Sequence, residues 1–226
     1  MGWPIVPRPN RVGGVVTSLK VDPHRRGKVR VGIDGAETFA LATPLAAGLR
    51  LGLSLSDGEI AALQGADAVE AAVRRALRLV AIRPRSEREM RDYLARAGVP
   101  SNLHPQVLGR LHERGAIDDR AFAQAWVENR QAFRPRSSLA LKMELRKKGV
   151  APETISTVLE DVDEEAAASQ AARKALRRLH GLTHEEFRQR LGALLARRGF
   201  DYSIIRPVVE GLWAETSGDH AESECD

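Results

Sequence analysis

Three groups of residues in this 226-residue chain have types and spacings that could do chemistry. Asp118-Asp119, in "AIDDRAFAQAWVENR", offers two neighbouring carboxylates. General acid–base catalysis needs such a pair held in different environments around a substrate. These two fall where a helix should start, and aspartate there caps free N–H groups and complements the helix dipole, so capping is the expectation. His180 and His184 have HxxxH spacing, which on one helix face could hold a metal. Gly181 and a Thr183 cap should break the helix between them, and no cysteine is near to complete a soft site, so a solvated joint is expected. Cys225, the only cysteine, lies in an acidic tail without a neighbouring base, a poor setting for a nucleophilic thiolate. "GLRLGLSLSDG" fits neither common phosphate-loop spacing and reads as a loop between short elements. No catalytic residue, cofactor or metal is expected, and the chain does not read as an enzyme.

Composition narrows the alternatives. Apolar residues make up 43% and aromatics only 4%, so the core must rest on Leu, Val, Ile and Ala, which favours helices with narrow seams. The formal charge is +5, but the stretch after Ala214 carries five acids and no base, leaving 35 bases against 25 acids on residues 1–214. That excess suits a polyanionic partner. One terminal cysteine excludes a disulfide within the chain and suggests a reducing compartment. With no long apolar run and no signal-peptide core in "MGWPIVPRPNR", the expectation is a cytoplasmic protein away from membranes.

The elements that would position any site follow from pattern. Residues 1–11 hold three prolines and read as a flexible arm. "GVVTSLKVD", "KVRVGID" and "ETFALA" alternate, and Asp34-Gly35 between the last two predicts a hairpin in a small β-containing region over 12–66. Two short helices should follow, one with Thr43 as N-cap before Pro44, the other opened by the Ser56/Glu59 capping box, with a linker near Gly65. From Ala68 the periodicity is helical throughout.

Within that stretch the sequence repeats. "RPRS" occurs at Arg83–Ser86 and Arg134–Ser137, and Gly98, Gly149 and Gly199 are 51 and 50 residues apart. Leu94, Leu145 and Leu195 precede those glycines by four residues; Val99, Val150 and Phe200 follow them. Val107-Leu108, Val158-Leu159 and Val208-Val209 keep the register, as do Leu111, Val162 and Leu212. Self-similarity of this period marks a repeat architecture. The fold expected is mainly α: three tandem three-helix repeats, elongated and curved, over 68–117, 118–162 and 163–214, then an acidic disordered tail over 215–226. "RPRS" is the joint between first and middle helices, where proline stops one helix and Ser86 or Ser137 caps the next. Thr183 and Glu186 play that part in the third unit, and each glycine is a left-handed C-cap.

Phe122, Trp126 and Phe133 share a helix face; a base-stacking platform is conceivable, but a core-facing stripe is expected. The bases are the remaining signal. Arg74/Arg78, Lys142/Arg146, Arg173/Arg177 and Lys174/Arg178 are i, i+4 pairs read as lying along helix faces. Arg83, Arg85, Arg134 and Arg136 gather at the joints, and Lys147, Lys148, Arg197 and Arg198 precede two of the glycines. Together with Lys142, Arg146, Arg173 and Arg177 these make a candidate basic stripe.

"RALRLVAIRPRSEREMRDYLARAGV", "LHERGAIDDRAFAQAWVENR", "SLALKMELRKKGV" and "LARRGFDYSIIRPVVEGL" resemble, in order, the recurring segments of the RecX family, regulators of the bacterial recombinase RecA. The resemblance covers about Ala68–Trp213, and more loosely the β-containing region before it. It implies binding in the groove of RecA filaments on single-stranded DNA, with weak direct DNA binding; the chain is expected to be a monomer. It further implies inhibition of RecA ATPase, strand-exchange and coprotease activities, and so modulation of recombination and the SOS response. The rival reading is a helical module that acts on DNA directly.

Overall fold

The structure, a computed structural model, describes residues 13–222, with side chains through Thr216. The proline-rich arm and the last four residues of the tail lie outside the described residues. Those described form two compact units, 13–83 with 90–117 and 84–89 with 118–222.

The first unit begins with four antiparallel strands: β1 (Gly14–Val21), β2 (Lys28–Ile33), β3 (Ala36–Ala42) and β4 (Ser54–Leu55), ordered β3-β2-β1-β4. Asp34 and Gly35 both take positive φ, 50° and 83°, as a two-residue hairpin of the predicted kind requires. Asp34 adds a second service by accepting a 2.9 Å bond from the Val15 N–H through its side chain. β4 was expected to be loop; its two residues pair with Gly14 and Val15.

Two expectations fail here. α1 (Thr43–Ala46) takes Thr43 inside the helix, with Ala42 at the N-cap and no side-chain capping bond. And the linker near Gly65 does not exist. α2 runs unbroken over Asp57–Val80, opened by the Ser56/Glu59 capping box. Ile60 and Leu63 pack on the core of the sheet, whereas Val69, Ala72, Val73 and Ala76 enter the core of the first repeat. Asp67 pins the middle of the helix to the sheet, accepting from the Ala42 N–H at 2.7 Å and pairing with Lys28. A mid-helix glycine costs about 1 kcal/mol; burial on both sides of Gly65 outweighs it.

The rest is helical. α3 (Glu87–Arg96) and α4 (His104–Glu113) complete the first repeat with α2. α5 (Asp119–Phe133), α6 (Ser138–Lys147) and α7 (Pro152–Leu159) form the second, and α8 (Glu164–Arg173), α9 (His184–Arg197) and α10 (Tyr202–Glu222) the third. Each middle helix ends in the same two bonds, the glycine N–H to the carbonyl three residues back and the next N–H to the leucine five back. In the second repeat these are Gly149 to Arg146 at 3.0 Å and Val150 to Leu145 at 3.2 Å. This is a Schellman motif, in which a left-handed residue lets the chain satisfy the last helical carbonyls. Leu94, Leu145 and Leu195 are fully buried above it, as are Met90, Leu141 and Leu191 one turn earlier, a register the sequence reading overlooked.

The acidic tail is corrected in part. α10 continues through Glu222, and Glu215 on it pairs with Arg173 of α8 at 2.9 Å, which ties the start of the acidic stretch to the third repeat. α8 itself stops at Arg173 and residues 176–178 tighten into a 3-10 turn, so Arg173/Arg177 and Lys174/Arg178 do not lie along one helix face.

Candidate interaction surface at the repeat joints

The joints of the second unit are built twice on one plan. Ser86, before α3, accepts from the Glu89 N–H at 3.2 Å and donates its hydroxyl to the Lys148 carbonyl at 2.7 Å. Ser137, before α6, accepts from the Ala140 N–H at 3.1 Å, and its own N–H donates to the Arg198 carbonyl at 3.2 Å. Lys148 and Arg198 are the residues just before Gly149 and Gly199. The N-terminus of one middle helix is therefore seated on the C-terminal cap of the next, and both serines are buried by it.

The acid pairs serve the same junction. Asp118 caps its own helix, accepting from Arg120 and Ala121 N–H groups at 2.8 and 3.1 Å. Asp119 instead accepts from the Glu87 N–H at 2.8 Å, capping the middle helix of the preceding repeat. Asp163 and Glu164 divide the work identically: the first accepts from Ala166 N–H at 2.9 Å, the second from Ser138 N–H at 2.8 Å. Capping was legible for Asp118; the crossing to the neighbouring repeat, made by Asp119, was not.

Several predicted contact bases are held by this framework. Lys148 Nζ donates to Glu89 at 2.6 Å and stands 4.9 Å from the centre of the Trp126 ring. Glu144 accepts from Trp126 Nε1 at 2.7 Å and Arg130 Nε at 2.8 Å, with Arg136 Nε 3.1 Å from its other oxygen. Burial alone would raise the pKa of Glu144, but the bonds from Arg130 and Trp126 and the charges of Arg130 and Arg136 outweigh it, holding the carboxyl below its ordinary range. Arg198 donates to the Pro135 carbonyl at 3.2 Å, within reach of the charges of Arg134 and Arg136. Burial first, then those two charges, pull its pKa below the ordinary arginine value. Arg85 is half-buried with its Nε unbonded.

The rest point outward. Arg83, Arg134, Arg146, Lys147, Arg177 and Arg197 are exposed and Lys142 is half-exposed. Arg134, Arg146, Lys147, Arg177 and Arg197 hold no ion pair among the described residues. Of the aromatic stripe, Phe122 and Trp126 face the core as expected, but Phe133 is 76% exposed. It is the last residue of α5, beyond the packed length that ends near Val127. Ile82, at the same place before the first "RPRS", is 78% exposed. The Nε2 of His184 lies 3.1 Å from Glu210, and its ring stands 5.0 Å from that of Trp213. No described helix is long and apolar enough to cross a membrane.

Comparison with known proteins fits this repeat plan. Residues 72–111, 118–159 and 163–209 match the first, second and third three-helix domains of RecX. The chain is 41% identical over 140 residues to the "Regulatory protein RecX" of Mycolicibacterium smegmatis, covering 59% of this chain and 74% of that one. It is 38% identical over 157 residues to the protein of that name from Streptomyces lividans, covering 68% and 83%. Among solved structures, one titled "Crystal structure of regulatory protein RecX" superposes with a TM-score of 0.71 over 87% of this chain and 99% of the other, at 23% identity. RecX from Lactobacillus salivarius gives 0.56 over 65% and 97%, at 19% identity. With all three helical domains matched in order, the chain belongs to the RecX family of regulatory proteins.

Proposed function

We propose that the protein binds RecA and its filament on single-stranded DNA and lowers RecA's ATPase, strand-exchange and coprotease activities. Recombination and the SOS response would be modulated through that binding. The observation that carries the reading is the division of the bases at the joints. Lys148 and Arg136 are engaged in ion pairs with Glu89 and Glu144, while Arg134, Arg146, Lys147 and Arg197 recur outward without carboxylate partners among the described residues. A surface of that kind suits a polymer that offers acidic protein or phosphate at regular intervals, because several weak contacts then combine into one tight attachment. Occupancy of the filament, with no bond made or broken, is the mechanism: it restrains the protomer motions coupled to ATP turnover.

The test is RecA-dependent ATP hydrolysis on single-stranded DNA with the protein titrated in. Hydrolysis should slow at amounts no greater than stoichiometric with RecA. An unchanged rate there removes the proposal.

A further inference from the structure

The segment at the second joint has a character that neither its caps nor its core packing explains. Phe133 is exposed although it is a large aromatic group, with no ring partner among the described residues, and Arg134 after it is exposed without an ion pair among them. The backbone on either side is gripped by cations: Lys174 donates to the Ala132 carbonyl, and Arg198 to the Pro135 carbonyl at 3.2 Å. Contacts at this joint bring together Arg130, Arg134, Arg136, Lys174 and Arg198, and the carboxylates that enter them are those of Glu144 and Glu164. Both acids are already engaged, Glu144 by Arg130, Trp126 and Arg136, and Glu164 by the Ser138 N–H.

We propose that Phe133, Arg134 and Arg198 form a binding site for single-stranded nucleic acid, the phenyl ring stacking on an unpaired base and the guanidiniums holding the adjoining phosphodiester. Three arginines brought to one place repel one another, and Arg198 already feels the other two; an anion with several oxygens relieves that repulsion. The fork of a guanidinium matches two phosphate oxygens at once. The exposed ring chooses the ligand further. A duplex keeps its bases stacked inside, whereas a single strand presents their faces, and aromatic side chains bind those faces with little regard to sequence. The site deepens the reading above by assigning strand contact to particular residues, but it requires no RecA.

Binding of the full chain to a fluorescent oligothymidylate, measured at graded salt without RecA, tests it. Phe133→Ala should weaken binding about fivefold or more, in keeping with the value of one stacked base. Phe133→Leu, apolar but without a π-face, should weaken it nearly as much. Arg134→Glu should weaken it and flatten the dependence of log affinity on log salt by roughly 0.7 or more, one phosphate contact on a single strand. Both substituted positions are solvent-facing, and unchanged far-UV dichroism checks the fold. Wild-type affinity in Phe133→Ala or Phe133→Leu overturns the stacking site. So does duplex of the same length binding as tightly as the single strand. Should Arg134→Glu lose RecA inhibition with strand affinity intact, the joint faces an acidic protein surface instead, and the site is refuted. If strand binding fails as expected while inhibition was never present, the RecA proposal falls and this one stands.

Discussion

Alanine at Gly149 gives a sharp test of how the repeats are joined. Gly149 has φ of 81°, and a Cβ built on it would stand 2.6 Å from both Cβ and Cδ of Arg88. Arg88 belongs to the first turn of α3, which the Ser86 hydroxyl has seated on this cap. Gly199 repeats the arrangement: at φ 91°, its Cβ would meet Ser137 Oγ at 2.6 Å and Ala140 Cβ at 3.0 Å. Gly181 supplies the control within the same unit, with φ of 72° and nothing within 4 Å.

Left-handed backbone costs an L-residue about 1–2 kcal/mol, and that cost falls on all three substitutions alike. Gly149→Ala and Gly199→Ala must in addition push apart two helix ends, an overpacking that costs about 1–3 kcal/mol. Arg88 can swing its Cδ away, but its Cβ is fixed to the backbone, so α3 itself must shift. Urea titrations followed by far-UV dichroism and by the fluorescence of Trp126 and Trp213 should therefore rank Gly181→Ala well above the other two in stability. The gap should be at least about 1 kcal/mol, with the dependence on urea concentration unchanged. Equal losses at all three sites would mean that the close approach of Arg88 to Gly149 and of Ser137 and Ala140 to Gly199 contributes nothing.

Other expectations follow from the joints. Asp119→Ala frees the Glu87 N–H and should cost about 1 kcal/mol in the same titration although it leaves the cap of its own helix, Asp118, in place. Because Glu144 is held below its ordinary pKa of 4.5, the stability it contributes is complete above that value and lost as pH falls through the lower folded one. Glu144→Gln should thus be less stable than the parent at pH 7, with the difference shrinking below about pH 4; a difference independent of pH would contradict it. Reversing Arg134, Arg146 and Arg197 together to glutamate should abolish the slowing of RecA hydrolysis without unfolding the chain, since none holds an ion pair among the described residues.

The repeat was legible because its marks are local. A left-handed glycine, a leucine above it and a cap after a proline each announce themselves within a few residues, and the structure places all of them in the same bonds. The Gly65 linker failed for the opposite reason. A glycine weakens a helix by a fixed small amount, and only the sheet on one side and the first repeat on the other, both distant in sequence, decide that α2 continues through it. Phe133 shows the limit of periodicity. Its spacing from Phe122 puts it on the core face, but a face is buried only as far as a neighbour covers it, and at the end of α5 the Phe133 ring is left exposed. The bases divide on the same principle. Lys147 and Lys148 are adjacent in sequence, yet one is exposed and the other lies between Glu89 and Trp126.

That division bears on how such a surface could form at all. A joint that seats one helix N-terminus on the C-terminal cap of another needs cations near the cap to meet the carbonyl end of the dipole and acids at the N-terminus to meet the amide end. Asp119, Glu164, Lys148 and Arg198 meet those demands. The demand for acids is satisfied with side chains turned inward, onto N–H groups, whereas bases such as Arg146, Lys147 and Arg197 fill the last turn and project outward. Each seated joint therefore leaves a positive exterior as a by-product of its own stabilisation.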